Sequence, residues 1–140
     1  MSKIFFYGLF MDRSLLAEKR LHPQIVGPAV LPDYRIHIGE RATLLRSASS
    51  RAYGIVMDLA DEEAQALYSE PSVRDYIPER VQVELLATRK IVEAYCYTLP
   101  RELSLAGANP AYAAKLSQLA DALQFDSEYV EEIAAFGEVS

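Results

Sequence analysis

Apolar and polar residues along the chain repeat with two different periods, which separate predicted strands from predicted helices. The apolar run 4–7 consists of β-branched and aromatic residues, a composition that favours a strand buried on both faces. Tyr34, Ile36 and Ile38 alternate with polar residues, as in a half-buried strand. Similar patterns predict further strands at 43–46, 52–59, 81–85 and 91–98, the last two as a hairpin.

Helical spacing occurs in four segments, each preceded by a residue that can cap a helix. Asp12 precedes apolar residues at 15, 16 and 21, and Asp61 precedes a short acidic segment that ends at a proline. An Asn-Pro pair at 109–110 is typical of a helix start, and apolar residues then follow at 112, 116, 119 and 123. Asp126 caps a last predicted helix at 127–136.

This order of elements predicts an α+β fold in one domain that covers residues 1–140. Five or more strands with few intervening helices favour a curved sheet that is mainly antiparallel or mixed. A chain of 140 residues, 51% of them hydrophobic, can bury a core without disulfide bonds. The single cysteine, Cys96, lies in an apolar run, so we interpret it as a buried residue rather than a reactive thiol.

The change from strand pattern to helix pattern at Gly8 marks a candidate binding turn. Glycine permits a backbone conformation or a close approach that a side chain would block. A strand end and a helix start that meet here would present several backbone N–H groups, which suit a carboxylate or an oxyanion. The alternative interpretation is an ordinary connection between a strand and a helix.

Net charge and composition exclude several classes of function. A net charge of −6 opposes the electrostatic attraction on which nucleic-acid binding depends. Arginines at 35, 41, 46 and 51 form a local basic stretch, which is either a solvated rim or an attraction for an anionic small molecule. The first apolar run is too short for a secretion signal, and no window is long enough to span a bilayer, so we expect a cytoplasmic protein.

Metal chemistry is not expected either. His22 and His37 have no partner at the spacing of metal ligands, and no cluster of cysteine or carboxylate side chains has it. We therefore predict a site without metal or cofactor. Oligomeric state leaves no signal in the sequence.

Taken in order, these segments resemble the γ-glutamylcyclotransferase-like (AIG2-like) family. The resemblance covers residues 3–99, from the Tyr-Gly turn at 7–8 through the Asp-Tyr-Arg-Ile strand at 33–36, the Tyr-Gly-Ile-Val strand at 53–56 and the acidic helix at 61–63 to Tyr76. The segments 109–112 and 126–130 also resemble the C-terminal helices of longer members. The resemblance implies a small mixed β-barrel of about five to seven strands with flanking helices. It also implies release of 5-oxoproline from a γ-glutamyl amide, which is a small-molecule substrate.

The resemblance also implies roles for particular residues. It places a catalytic glutamate in the loop after the short helix, which here is Glu70, as general acid and base. It implies substrate binding by a set of residues from the turn and from the loop that follows the short helix: Tyr7, Gly8, Leu9, Phe10 and Tyr76.

Two departures from the family pattern leave an alternative open. Leu9 stands where members usually have serine or threonine, and Glu70 lies one position short of the family register. Without the resemblance, the favoured interpretation of Glu70 is a carboxylate that faces solvent in a loop. The alternative function is therefore a module that binds a γ-glutamyl or amino-acid-like ligand without turnover.

Overall fold

The computed structural model describes residues 1–137, and its five strands and five helices follow one another along the chain. A single 3₁₀ turn at Leu9–Met11 connects the first strand to the first helix. The strands are β1 Ser2–Phe6, β2 Gln24–Ile38, β3 Ala42–Leu59, β4 Ile77–Leu85 and β5 Ile91–Thr98. The helices are α1 Arg13–Glu18, α2 Asp61–Leu67, α3 Arg101–Ser104, α4 Pro110–Ala122 and α5 Ser127–Ala135.

The strands close into a barrel in the order β1, β3, β2, β4, β5. Neighbouring strands pair antiparallel except at the closure, where β5 runs parallel to β1 with Ile4 opposite Tyr95. Closure removes the unpaired edges of an open sheet. The predicted α+β fold, a small mixed barrel with flanking helices, is thus confirmed at five strands.

Strands β2 and β3 are longer than the sequence pattern predicted, whereas β5 has the predicted bounds. The predicted strand at 34–38 is the last third of β2, and the predicted strands at 43–46 and 52–59 are one strand, β3. Pairing of β2 with β3 is shifted between Pro32 and Tyr34, where Asp33 has a φ of 65°. Such a bulge bends a strand without ending it. In the sequence, the residues at such a bend resemble those of a turn between two strands.

Helix starts agree with three of the four predicted caps. The Asp12 carboxylate accepts a hydrogen bond from the Ser14 N–H at 2.9 Å, the Asn109 side chain accepts one from Tyr112, and Asp126 caps α5. The prediction for α2 was one residue late, because Ala60 precedes the helix and Asp61 is its first residue. Asp61 instead contributes its negative charge to the first turn, where the helix dipole favours it.

The core lies inside the barrel and continues under α4 and α5. Phe5 of β1 and Val83 of β4 are buried in one hydrophobic cluster with Leu116 of α4 and Ile133 of α5. Cys96 is fully buried, as predicted, and burial raises the pKa of its thiol. The barrel and the C-terminal helices therefore share one hydrophobic core.

Candidate active site

A cavity of about 340 Å³ opens at one end of the barrel, where β1 ends and α4 begins. Its volume lies near the lower limit of small-molecule sites in proteins. Most of its wall is aromatic or aliphatic, with a polar end formed by Glu40, Arg41, Ser72 and Asn109. The remaining lining residues are Phe5, Phe6, Tyr7, Gly8, Leu9, Phe10, Leu15, Ala42, Tyr68, Val73, Tyr76, Tyr97 and Tyr112.

The turn at residues 7–10, called the 7–10 turn below, forms one side of the cavity. Tyr7 donates a hydrogen bond from its hydroxyl to the Tyr97 carbonyl at 2.6 Å, which joins the turn to the end of β5. Gly8 has a φ of −106°, which any residue can adopt. A Cβ at this position would lie 2.6 Å from the Tyr112 hydroxyl oxygen. Close approach, rather than unusual backbone conformation, is therefore the reason for glycine here.

One backbone donor of this turn is already engaged. The Leu9 N–H donates to the Tyr112 hydroxyl at 3.3 Å, across 103 positions of sequence. The sequence predicted that backbone N–H groups of the turn would bind the ligand directly. At Leu9 the structure instead places a phenol oxygen from α4 on that donor.

Tyrosine rings from three segments form a further part of the cavity wall. Tyr68 and Tyr97 stack with ring centroids 3.6 Å apart and planes 6° from parallel, and the Phe10 ring meets Tyr68 edge to face. Tyr76 donates its hydroxyl proton to the Ala42 carbonyl. Arg41 lies 5.8 Å from the centroid of the Tyr76 ring. These contacts fix a flat aromatic wall that can hold an apolar group against its faces.

All five predicted binding residues line the cavity, whereas the predicted catalytic glutamate does not. The Glu70 carboxylate forms an ion pair with Lys19 at the end of α1, and both side chains are about one-third exposed. Its neighbours in the loop, Tyr68 and Ser72, do line the cavity, so Glu70 lies at the rim and faces away from the wall. The only carboxylate among the described lining residues is Glu40.

Glu40 and Arg41, at the tip between β2 and β3, escaped the sequence analysis as individual residues. The Glu40 carboxylate has no ion-pair partner within residues 1–137. Arg41 donates to Asp75 at 3.1 Å, and this contact fastens the strand tip to the loop at 68–76. The signal for Arg41 in the sequence is the local basic stretch, one interpretation of which is attraction of an anionic small molecule.

Tyr68, Tyr97 and Tyr112 also escaped the sequence analysis as site residues. Tyr112 fits the apolar stripe of α4, and Tyr97 fits the strand pattern of β5. Such positions look like ordinary core in a sequence, because periodicity cannot tell a cavity wall from a packed interior. Only barrel closure brings the three rings together.

The tyrosines make stability sensitive to high pH. Burial, followed by the hydrogen bond to Glu79, raises the pKa of Tyr34 to about 12, and burial raises the pKa of Tyr7 and Tyr68 well above the ordinary value. Unfolded tyrosine titrates near ~10, so the stabilisation is complete below that pH. Above it the unfolded chain loses its phenol protons first, and the free energy of unfolding falls as pH rises towards 12.

We therefore expect denaturant unfolding at pH 8, 9.5 and 11 to show a progressive loss of stability. Tyr34→Phe should reduce the loss between the last two values, because its contribution is removed. Equal stability of the unmodified protein at all three pH values would contradict this expectation.

Comparison with known proteins shows which family has this sequence and fold. A model of the family described as gamma-glutamyl cyclotransferase, AIG2-like, matches residues 4–117. The chain belongs to the gamma-glutamyl cyclotransferase, AIG2-like family. The resemblance stated from sequence is thus confirmed. No curated protein matches the sequence.

Solved structures support the same fold at low sequence identity. A gamma-glutamyl cyclotransferase superposes with a TM-score of 0.79 at 17% identity, over 96% of this chain and 86% of the other. An uncharacterized protein from Homo sapiens gives 0.76 at 19% identity over the same shares. YkqA from Bacillus subtilis gives 0.78 at 19% identity, over 97% of this chain and 54% of its own. At these low identities the superpositions show only that this family member shares the fold. The chemistry of its site has to be inferred from its own cavity residues.

Two further observations concern what the described part of this family member contains. Within residues 1–137, no group of three or more histidine, cysteine, aspartate or glutamate side chains is arranged to hold a metal ion. None of the helices there is long and apolar enough to cross a membrane.

Proposed function

We propose that this chain releases 5-oxoproline from a γ-glutamyl amide bound in the aromatic cavity. The observation that carries the proposal is the 7–10 turn and Tyr76 facing one cavity, in a chain that belongs to this family. The cavity is near the lower size limit of small-molecule sites, which suits a small amide better than a protein segment.

The reaction needs no group beyond substrate and side chains. The α-amine of the γ-glutamyl group loses a proton and attacks the γ-carbonyl carbon, which forms the ring C–N bond. Negative charge gathers on the carbonyl oxygen. The bond to the leaving amine then breaks as its nitrogen takes up the proton that the acid and base group removed from the α-ammonium group. The second proton that the ring nitrogen loses passes to solvent or to the released amine.

The cavity supplies proximity and charge. Its aromatic faces can hold the γ-glutamyl chain folded, so that the amine lies near the carbonyl, and such positioning accounts for a large share of barrier reduction in intramolecular reactions. Arg41 is the only cationic side chain among the described lining residues, which makes it the partner for the α-carboxylate. In its contact with Asp75 the two side chains are 28% and 46% exposed, and the other guanidinium N–H groups of Arg41 can still donate to a ligand.

We assign the acid and base role to Glu70, with Glu40 as the rival. An ion pair as exposed as that of Glu70 with Lys19 contributes about 0.2–1 kcal/mol, so a bound ammonium group can replace Lys19 at little cost. Catalytic hydrogen bonds are often unformed before substrate binds. Glu40 competes for the role because it already lines the cavity.

A second function, ligand binding without turnover, is favoured by a specific observation. Glu70 is held outside the cavity wall, and the Leu9 N–H is occupied by Tyr112. A cavity that has lost its acid and base group would still bind an amino-acid-like ligand.

A release assay separates the two functions. We expect the protein, incubated with γ-glutamyl dipeptides and γ-glutamylamines, to produce 5-oxoproline at a rate proportional to enzyme concentration. Calorimetry with the same compounds measures binding in parallel. Binding without release would establish the second function, and neither binding nor release would reject both.

A further inference from the structure

We propose that the Tyr112 hydroxyl donates a hydrogen bond to an oxygen atom of the bound ligand, so that α4 completes the site built by the 7–10 turn. The inference rests on the proposed function for the identity of the ligand, a γ-glutamyl compound. It adds a ligand-contacting residue from outside the barrel.

The first observation is the hydrogen bonding of this hydroxyl. Its oxygen accepts from the Leu9 N–H at 3.3 Å, and its own proton has no acceptor within residues 1–137. A phenol can accept and donate at once. The free donor belongs to a side chain that lines the cavity, where a ligand oxygen can receive it.

Four other tyrosines, Tyr7, Tyr34, Tyr76 and Tyr129, donate their hydroxyl protons within residues 1–137, whereas the hydroxyls of Tyr68 and Tyr97, which also line the cavity, make no hydrogen bond there. Tyr112 differs from Tyr68 and Tyr97 because the Leu9 N–H holds its oxygen in place. Tyr7 donates to the Tyr97 carbonyl at 2.6 Å, Tyr34 to Glu79 at 2.8 Å, and Tyr129 to the Tyr53 carbonyl at 3.4 Å. Burial without an acceptor would cost free energy. A hydroxyl with an unused donor at a cavity wall is therefore the feature expected of a ligand contact.

The second observation is how firmly the hydroxyl is placed. The Asn109 side chain accepts from the Tyr112 N–H at 3.0 Å and donates to the Glu40 carbonyl at 3.2 Å, which ties the start of α4 to the tip between β2 and β3. The hydroxyl then fits against Gly8, where a Cβ would lie only 2.6 Å from its oxygen. A donor held from both sides needs little reorganisation when charge develops nearby.

The two hydrogen bonds would strengthen each other. The Leu9 N–H polarises the phenol oxygen, which makes the phenol proton a better donor to the ligand. The Leu9 side chain has no hydroxyl that could contact a ligand. The Tyr112 hydroxyl, which accepts from the Leu9 N–H, takes that place as the hydrogen-bond donor at the cavity. Burial also raises the pKa of Tyr112, so the hydroxyl keeps its proton at neutral pH.

The experiment compares Tyr112→Phe with Tyr129→Phe. The first removes the hydroxyl that is both the proposed donor and the acceptor of the Leu9 N–H. The second removes a buried hydroxyl in α5 that bonds to the Tyr53 carbonyl and does not line the cavity. For each protein we would measure kcat and KM for 5-oxoproline release, calorimetric binding of 5-oxoproline, and the free energy of unfolding.

Tyr112→Phe should lower kcat/KM by roughly tenfold to a thousandfold, the range for loss of one such donor. A fall in kcat alone would identify the carbonyl oxygen as acceptor, and a rise in KM with weaker 5-oxoproline binding would identify the carboxylate. Tyr129→Phe should leave kcat/KM unchanged, whatever it costs in stability.

Equal kcat/KM and equal 5-oxoproline binding for Tyr112→Phe and the unmodified protein would overturn the inference while leaving the proposed function intact. If the unmodified protein releases no 5-oxoproline, the proposed function fails, and the binding comparison alone decides the role of Tyr112. If it also fails to bind 5-oxoproline, the inference is overturned too.

Discussion

Glu70→Gln is expected to lower the rate of 5-oxoproline release by roughly 10²–10⁴-fold, the contribution typical of general acid and base catalysis. Glutamine keeps the size of the side chain and much of its hydrogen bonding, but it cannot take up the α-ammonium proton. Ligand binding should persist, because the 7–10 turn, Tyr76 and Arg41 remain in place. Calorimetry and the release assay on the same preparation measure both effects.

Glu40→Gln and Glu131→Gln are the matched controls for this prediction. Glu131 is exposed on α5 and does not line the cavity, so its substitution should change the rate less than twofold to threefold, roughly the effect of a neutral surface change. Glu40 lies on the wall, and we expect its substitution to alter substrate binding more than kcat. A large loss of kcat in Glu40→Gln with full activity in Glu70→Gln would transfer the proton role to Glu40.

Gly54→Ala should destabilise the fold by about 1–3 kcal/mol or more, the usual cost of forcing extra volume into a packed interior. A Cβ at Gly54 would lie 2.3 Å from the Phe6 carbonyl oxygen and 2.7 Å from the Phe5 ring. The carbonyl belongs to the backbone of β1 and cannot turn aside. Because β1 leads directly into the 7–10 turn, activity should fall together with stability.

Ala48→Ser provides the control for Gly54→Ala. It also adds one heavy atom to β3, but at an exposed position, so the free energy of unfolding should change by no more than about 0.5 kcal/mol. Denaturant unfolding followed by circular dichroism measures both variants. A Gly54→Ala protein as stable as the unmodified one would mean that β1 and β3 separate more easily than their pairing indicates.

The elements of this fold were largely predictable, because their signals are local. Asp12, Asn109 and Asp126 cap helices where the sequence predicted them, since a cap requires only a side chain and the N–H groups two or three residues later. The length of β2 was not predictable: alternation indicated a strand only from Tyr34, and the bulge at Asp33 keeps the strand continuous with the preceding segment.

The barrel itself followed from the family resemblance rather than from periodicity. Alternation assigns each residue to a face, but it does not say which strands pair. The barrel closes where β1 pairs with β5, with Ile4 opposite Tyr95, and no sequence feature of either segment predicts this pairing. Strand order is decided by which apolar faces can be buried together.

For the candidate site, the sequence by itself determined the 7–10 turn and Tyr76, because a strand that ends at glycine before a helix cap is a local pattern and the family resemblance supplied the rest. Only the tertiary structure decided which side chains surround the turn. It brought Tyr112 to Leu9 from 103 positions away and put Glu40 on the wall. It also turned Glu70 towards Lys19. The physical reason is that the direction of a side chain beside the cavity depends on its neighbours in space. Those neighbours come together only when the barrel closes, so the spacing of residues along the sequence does not predict them.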